Sequence, residues 1–257
     1  MIELMPAVSL AEIQEQREAY MNELAYSQEL NSEENVWECQ YYKIKIDSVW
    51  SGYFCVSLDK TLWQFYLIKS ALSYSQEVFK LLIDMNYIVA AECISYDYLL
   101  MSLCFDFHKK AACSAYVFRD DTEVEYSLSS MENISFRFAK KEDFNSLSEI
   151  GGDFFYNLEE HIRKEEVFIF YSDNELLGAG TCKKIFNSLN YYDIGMVVAE
   201  KHRNKGIGTF IIIKLKEYCY NSDKIPVCGC WYPNYASKKT LEKAGFITKH
   251  RVIRFEF

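Results

Sequence analysis

Apolar positions along the chain switch between two periods, and the switches mark its elements. Leu10, Ile13, Tyr20, Met21 and Leu24 recur at helical spacing behind Ser9-Leu-Ala-Glu12, which reads as a capping box, so the spacing predicts an amphipathic first helix. From about Tyr41 the period falls to two. Tyr42-Lys-Ile-Lys-Ile-Asp alternates, and Gly52-Tyr-Phe-Cys-Val-Ser continues a sheet. A strand at 62–67, a helix at 75–84, a strand at 87–93, a short helix at 98–103 and a strand at 112–118 follow. The stretch from Asp120 to Asn133 is polar, acidic and poorly periodic. It is the expected boundary between a domain at 1–130 and a second at 131–257.

The second half restarts with a strand at Ile134 and a helix opening at Lys140. Strands at 167–171 and 176–182 flank Ser172-Asp-Asn-Glu, whose turn-forming residues predict a hairpin. A strand from Asp193, a helix from Thr209 to Tyr220, a strand through Val227 to Trp231, a helix from Ala236 to Lys243 and a last strand from Lys249 complete it. Phe210-Ile-Ile-Ile-Lys-Leu is β-branched enough to read as strand. The Ile211, Leu215, Tyr218 spacing and the glycine turn before it favour a helix buried on one face. Both halves end in the order strand, helix, strand, short helix, strand. Ile94-Ser-Tyr-Asp97-Tyr-Leu holds the place in the first that Trp231-Tyr-Pro-Asn234-Tyr-Ala holds in the second. Identity between them is thin, so a divergent duplication and the coincidence expected of alternating elements both stay open.

Composition narrows the class. Half of the 257 residues are hydrophobic and a quarter charged, with few glycines and prolines, which describes a folded protein large enough for two cores. A net charge of −9 argues against a general nucleic-acid binder. Apolar runs are broken by Lys or Asp well short of the ~20 residues a membrane span needs. Nine scattered cysteines and the absence of an apolar signal core predict reduced thiols in the cytoplasm. Cys228-Gly-Cys230 has no second Cys or His pair at ligand spacing, so no metal is expected.

The most specific feature is the run from Asp193 through Arg203 to Thr209. An apolar strand delivers the chain to a basic turn whose glycines let an anion approach the backbone, and the helix behind presents unpaired N–H groups and its positive dipole end. Dinucleotide and Walker readings fail, since Ile211 replaces a third glycine and no Gly-Lys-Ser/Thr closes the turn.

Arg203-Asn-Lys-Gly206-Ile-Gly208 resembles the Arg/Gln-x-x-Gly-x-Gly/Ala turn of the GNAT superfamily, the GCN5-related N-acetyltransferases. Asn234-Tyr-Ala-Ser237-Lys-Lys-Thr-Leu241-Glu-Lys243-Ala-Gly245-Phe246 resembles that family's second element, with Leu241 where a tyrosine is usual. The resemblance covers Ile134 to the end. It implies an α/β (α+β) fold, a mixed and mostly antiparallel GNAT sheet with flanking helices, preceded by a smaller α/β domain that is either unrelated or a divergent tandem copy. It implies acetyl-CoA as co-substrate and no metal.

The same resemblance implies a bulge that splays the motif strand from its neighbour, opening a gap for the pantetheine arm near Met196, Val197 and Val198. A backbone N–H near Met196 would polarise the thioester carbonyl. Arg203, Asn204, Lys205, Gly206, Ile207, Gly208 and Thr209 would hold the pyrophosphate, with Asn234, Ser237 and Lys243 as further cofactor contacts. Asp193 stands where many members place the general base, and a plain strand-edge Asp bonded to a neighbouring turn is the alternative. The tyrosine that protonates the thiolate in many relatives is Leu241 here, so Tyr232, Tyr235 or water would serve, or the thiolate would leave unassisted. Phe154, Phe155, Tyr156 and Trp231 are candidates for an acceptor cleft, and Lys238 and Lys239 for the nucleotide phosphates.

The reading favoured is acetyl transfer to a primary amine of a small molecule or peptide. Acetyl-CoA sensing without catalysis is the alternative, and aminoacyl transfer is disfavoured by the charge. The first half lacks an Arg-x-x-Gly-x-Gly equivalent and would act as scaffold, acceptor-site wall or dimer surface. A homodimer is one assembly this allows.

Overall fold

The computed structural model describes residues 1–125, 134–173, 175–186 and 189–257. Residues 126–133 of the expected boundary segment and Asn174 of the expected hairpin turn lie outside them. The chain divides into two units, Met1–Val117 with His250–Phe257, and Phe118–Lys249.

In chain order the first unit comprises β1 (Ile2–Ala7), α1 (Gln14–Glu23), α2 (Leu30–Trp37), β2 (Gln40–Ile46), β3 (Val49–Val56), β4 (Thr61–Leu67), α3 (Ser75–Asp84), β5 (Ala90–Ile94), α4 (Tyr98–Phe107) and β6 (Lys110–Phe118). The strand at Ile2–Ala7 and the helix at Leu30–Trp37 were not signalled by periodicity. The predicted capping box differs in detail. Ser9 makes no side-chain cap, and Leu10–Ile13 is a 3-10 turn. Glu12 reaches back one residue further, accepting from the Val8 N–H at 2.8 Å, and its other oxygen pairs with Lys43 at 2.9 Å. The carboxylate is thus shared between backbone N–H groups ahead of the helix and a tertiary cation.

The second unit comprises β7 (Asp120–Asp121), β8 (Ile134–Phe138), α5 (Phe144–Gly151), α6 (Leu158–Arg163), β9 (Val167–Ser172), β10 (Glu175–Lys184), β11 (Tyr191–Val198), α7 (Ile207–Tyr220), β12 (Ile225–Trp231), α8 (Tyr235–Lys243) and β13 (Phe246–Ile247). Strands run in the order β12-β11-β10-β9-β8, antiparallel except β11–β12. Helix α7 forms despite its isoleucines because Ile207, Ile211, Ile212, Leu215 and Cys219 make one buried stripe. Gly178 and Gly180 on β10 let that stripe sit down, since a Cβ at Gly180 would lie 2.7 Å from Leu215 and 3.1 Å from Ile211.

The last strand, β14 (His250–Glu256), does not close the half that precedes it. It pairs antiparallel with both β5 and β6, giving the first unit the order β1-β2-β3-β4-β5-β14-β6. Val252 packs with Ile94, Tyr96 and Val117, while Phe255 is fully buried in the cluster of Phe54, Phe65 and Phe79. Apolar residues on both faces suit a central strand better than an edge. The domain ends expected from sequence therefore differ from the observed units at both limits. No helix among the described residues is long and apolar enough to cross a membrane.

Candidate active site

The second unit opens where β11 and β12 part. These parallel strands pair only through Tyr191–Ile225, Tyr192–Pro226 and Asp193–Val227, although β11 continues to Val198 and β12 to Trp231. Alternate backbone groups of a strand point to either side, so those of residues 194–198 that do not serve β10 face the gap. The opening needs no bulge in β11. Its register with β10 runs unbroken from Tyr192 to Val198, and the irregularity lies between β9 and β10, at Leu176 and Gly178. The expected bulge is replaced by simple divergence.

The chain leaves β11 through a short turn that is pinned to it. Ala199 N–H donates to the Leu177 carbonyl at 3.0 Å, and Arg203 Nε to the Val198 carbonyl at 3.2 Å. Asn204 and Gly206 take left-handed backbone angles, φ 61° and 82°, and Gly206 is the cap residue from which α7 starts. The first-turn amides of α7 have no partner within the helix, and its dipole adds positive potential there. A Cβ at Gly208 would stand 3.1 Å from Thr240 and 3.4 Å from Val198, so α8 and β11 approach closely there. The start of α7 is therefore closely walled by the Thr240 and Val198 side chains.

A cleft of about 920 Å³ joins this turn to the gap. Met196, Val197, Val198, Arg203, Asn204, Gly206, Ile207, Gly208, Thr209, Asn234, Ser237 and Lys243 line it, and all of these were singled out from sequence. Lys205, exposed on the turn, and Asp193 stand outside the lining. Met196 and Val198 lie near Gly208 at the start of α7. Asp193 alternates with them and shares the opposite face with Gly195, over which the Phe154 ring lies. It is half-buried at the last paired position before the gap. Burial pushes the neighbouring Cys228 thiol well up, and the Asp193 carboxylate adds to that shift.

Asn234 caps α8, its Oδ1 accepting from the Ser237 N–H at 3.1 Å. The cap role and the lining position coexist. Leu241 is only 2% exposed and is absent from the lining, so the position of the usual tyrosine faces the core. Of the substitutes, Tyr235 lines the cleft and Tyr232 does not. Of the aromatic candidates, Phe154 and Trp231 line it, whereas Phe155 packs with Leu147 and Ile162 and Tyr156 is exposed elsewhere. His202, Gly229, Cys230, Ala236 and Thr240 also line the cleft and were missed. The Cys228-Gly-Cys230 run held a signal for two of them. Its glycine and second cysteine open onto the gap while Cys228 is buried.

The first unit repeats the opening without the cradle. Strands β4 and β5 are parallel and pair only at Thr61–Ala90 and Leu62–Ala91. Asp97 caps α4 as Asn234 caps α8, accepting from the Leu100 N–H at 3.1 Å. The connection from β4 to α3 contains no glycine and winds as a 3-10 helix, Lys69–Tyr74. Two residues beyond the last paired position of β4, where β11 has Gly195, stands Gln64. Gln64 is fully buried, donating to Glu33 at 3.1 Å and accepting from Tyr53 at 3.1 Å and from Arg17 at 3.3 Å. Arg17 also pairs with Glu33. Burial outweighs that pairing and holds the Glu33 carboxyl above its ordinary range.

Two family models match this chain. One, described as an acetyltransferase (GNAT) domain, covers residues 9–121, and the other, the acetyltransferase (GNAT) family, covers residues 128–246. The chain belongs to the GNAT acetyltransferases. It carries two GNAT domains, which makes the first half a GNAT domain in its own right, and it is an acyltransferase. Solved structures agree in fold. A GNAT-family acetyltransferase from Colwellia psychrerythraea is similar over 99% of both chains at 21% identity, with a TM-score of 0.89. A GCN5-related N-acetyltransferase from Sphaerobacter thermophilus is 10% identical over 99% of this chain and 95% of that one, with a TM-score of 0.60. A tandem GNAT protein from the clavulanic acid biosynthesis pathway is 11% identical over 99% and 98%, with a TM-score of 0.59. No curated protein matches the chain in sequence. GNAT enzymes use acetyl-CoA, and the donor set here fits it. Turn amides and Arg203 suit a diphosphate, and the gap offers strand backbone to an extended amide chain.

Proposed function

We propose that the second unit binds acetyl-CoA in this cleft and transfers the acetyl group directly to a primary amine of a small molecule or peptide. One observation carries the reading: a glycine cradle at the start of α7 and a stretch of β11 left unpaired on its β12 side open into the same cleft. Bound acetyl-CoA supplies an acetyl group already activated as a thioester. The chain's own residues do the rest. Gly206 to Thr209 offer N–H groups to the pyrophosphate, and Arg203 adds charge. The backbone N–H of Met196 polarises the carbonyl, and Val197 and Val198 hold the pantetheine arm as an added strand would be held.

Asp193, on the face of β11 turned away from the turn, takes the amine proton from the acceptor side. Leu241 offers no proton to the departing thiol. With an ordinary thiol pKa near ~8.5 the thiolate leaves at modest cost, so general acid help is dispensable. The first unit, which has no glycine cradle, serves as scaffold. Nine free cysteines suit a reducing cytoplasm, and the charge of −9 suits an amine acceptor better than a nucleic acid.

Titration calorimetry with acetyl-CoA tests the site. Binding is expected in the parent protein and is expected to be lost in Arg203→Ala and Gly206→Glu; unchanged affinity in both variants would remove the assignment. Thiol release across an amine panel then separates transfer from binding alone. Asp193→Asn should lower turnover by about 10²-fold or more without weakening acetyl-CoA binding, in keeping with general-base loss.

A further inference from the structure

Helix α7 rests on β10 through matched positions, and the last of them brings two thiols together. Gly178, Gly180 and Cys182 alternate onto the face of β10 that α7 covers, and Ile211, Leu215 and Cys219 follow at four-residue steps along the helix. At Cys182 the contact is made by sulfur. Its Sγ lies 3.6 Å from Cys219 Sγ, and the two share an S–H hydrogen bond. Both residues are buried, and both stand near the ends of their elements, shortly before Lys184 and Tyr220.

A cation accompanies the pair. Lys224 Nζ lies 4.6 Å from the centroid of the Tyr192 ring and 4.5 Å from that of Tyr218, and it donates to the Tyr218 hydroxyl at 3.0 Å. No carboxylate among the described residues pairs with it. The hydrogen bond from Cys219 holds the Cys182 thiol below its ordinary range against burial, and the Lys224 charge helps, while the Asp193 and Glu166 charges oppose it. The same bond and burial push the Cys219 thiol up. One sulfur is thereby favoured as thiolate, the form that attacks. The first unit supplies the contrast. Cys93 is hydrogen-bonded to Cys104 and both are fully buried, but burial pushes the Cys93 thiol well up, and Cys104, Asp97 and Glu92 push it the same way. A pair that only packs has that environment.

We propose that Cys182 and Cys219 are an oxidative modification site, at which a hydroperoxide converts the two thiols to a disulfide that staples α7 to β10. The Cys182 sulfur attacks the peroxide, whose O–O bond breaks. With hydrogen peroxide one oxygen leaves as water, and Cys182 becomes a sulfenic acid. The Cys219 sulfur then attacks that sulfur, the S–O bond breaks, and the oxygen departs with the Cys219 proton as a second water. The two sulfurs together lose two electrons and the peroxide gains them. Closing the contact to the ~2.05 Å of a disulfide takes a movement of about 1.5 Å, which the ends of a strand and a helix accommodate more readily than their middles. Free thiols reverse the bond by exchange. The staple holds, at its far end, the helix that starts at the phosphate turn.

Graded treatment of the folded full chain with hydrogen peroxide tests it, followed by unfolding, alkylation of the remaining thiols and peptide mass mapping. A linked peptide joining Cys182 to Cys219, lighter by two hydrogens and cleaved by dithiothreitol, should appear before any oxidation of Cys93 or Cys104. The oxidised protein should unfold at higher urea than the reduced one, because the crosslink spans 37 positions of the chain. Cys219→Ala removes the resolving thiol, so Cys182 should then accumulate as sulfenic acid and be trapped by dimedone. Lys224→Met should slow the crosslinking several-fold. Recovery of both Cys182 and Cys219 as alkylated thiols, at a peroxide dose that has fully oxidised the exposed Cys113, would overturn the proposal. So would oxidation of Cys93 and Cys104 at the same rate, or Cys182 going on to a sulfinic acid with no link to Cys219. The peptide map of the parent protein decides these outcomes even where a cysteine variant fails to fold.

Discussion

Lys216 is 5% exposed on α7, and its ammonium is fully engaged. It donates to the Thr122 carbonyl at 2.9 Å and the Ala244 carbonyl at 3.0 Å, and it pairs with Asp121 at 2.5 Å. The helix that begins at the phosphate turn is thereby tied to the segment entering the second unit and to the Gly245 corner. Lys216→Ala should cost at least about 2 kcal/mol of stability, because a carboxylate and two carbonyls lose their partner together. Urea unfolding followed by tryptophan fluorescence measures this, and adding Asp121→Asn should recover part of the loss. Leu241 makes the complementary point for a site residue. Its position in the motif matches a catalytic tyrosine, yet it is buried, so this side chain contributes packing rather than chemistry.

At the scale of elements, each half uses the same device to start the helix after its splayed strand. An Asx residue accepts from the backbone N–H three positions on, Asp97 in α4 and Asn234 in α8. The chemistry differs because Asp97 is 4% exposed and Asn234 is exposed. Burial pushes the Asp97 carboxyl up to about 6, against the bonds from Tyr20 and the Leu100 N–H that pull it down. The folded value therefore lies above the unfolded one, near 3.8. Neutral Asp97 favours the fold below about pH 4, and that contribution is lost as pH rises through 6, amounting to about 3 kcal/mol for roughly two pK units. Asp97→Asn has no such titration. The stability difference between the parent and this variant should swing against the parent by that order between pH 4 and pH 7 and stay flat above it, as measured by urea unfolding across the range.

For the whole molecule, the C-terminal strand decides which residues fold together. β14 separates β5 from β6, so without it two strands of the first unit would expose unpaired edges. Phe255 is fully buried, and Phe255→Ala should cost about 3–5 kcal/mol. Ending the chain at Lys249 should go further and abolish hydrogen-exchange protection in Ala90–Ile94 and Lys110–Val117, the strands that β14 bridges. Retained protection there in the shortened chain would show that β5 and β6 are held by something other than β14.

Local chemistry was legible in the sequence because it depends on neighbours a few residues away. The glycine turn before α7, the isoleucine stripe and the lysines of α8 are all properties of short segments, and most of the residues that line the cleft could be named from motifs of that length. Tertiary structure decided what short segments cannot carry. It placed β14 between strands more than a hundred residues earlier, because strand pairing is set by which edges remain open. It parted β11 from β12 after three paired positions, buried Leu241 and aimed Lys239 and not Lys238 into the cleft. Each of these is a matter of direction in space, which a motif's spacing leaves undetermined.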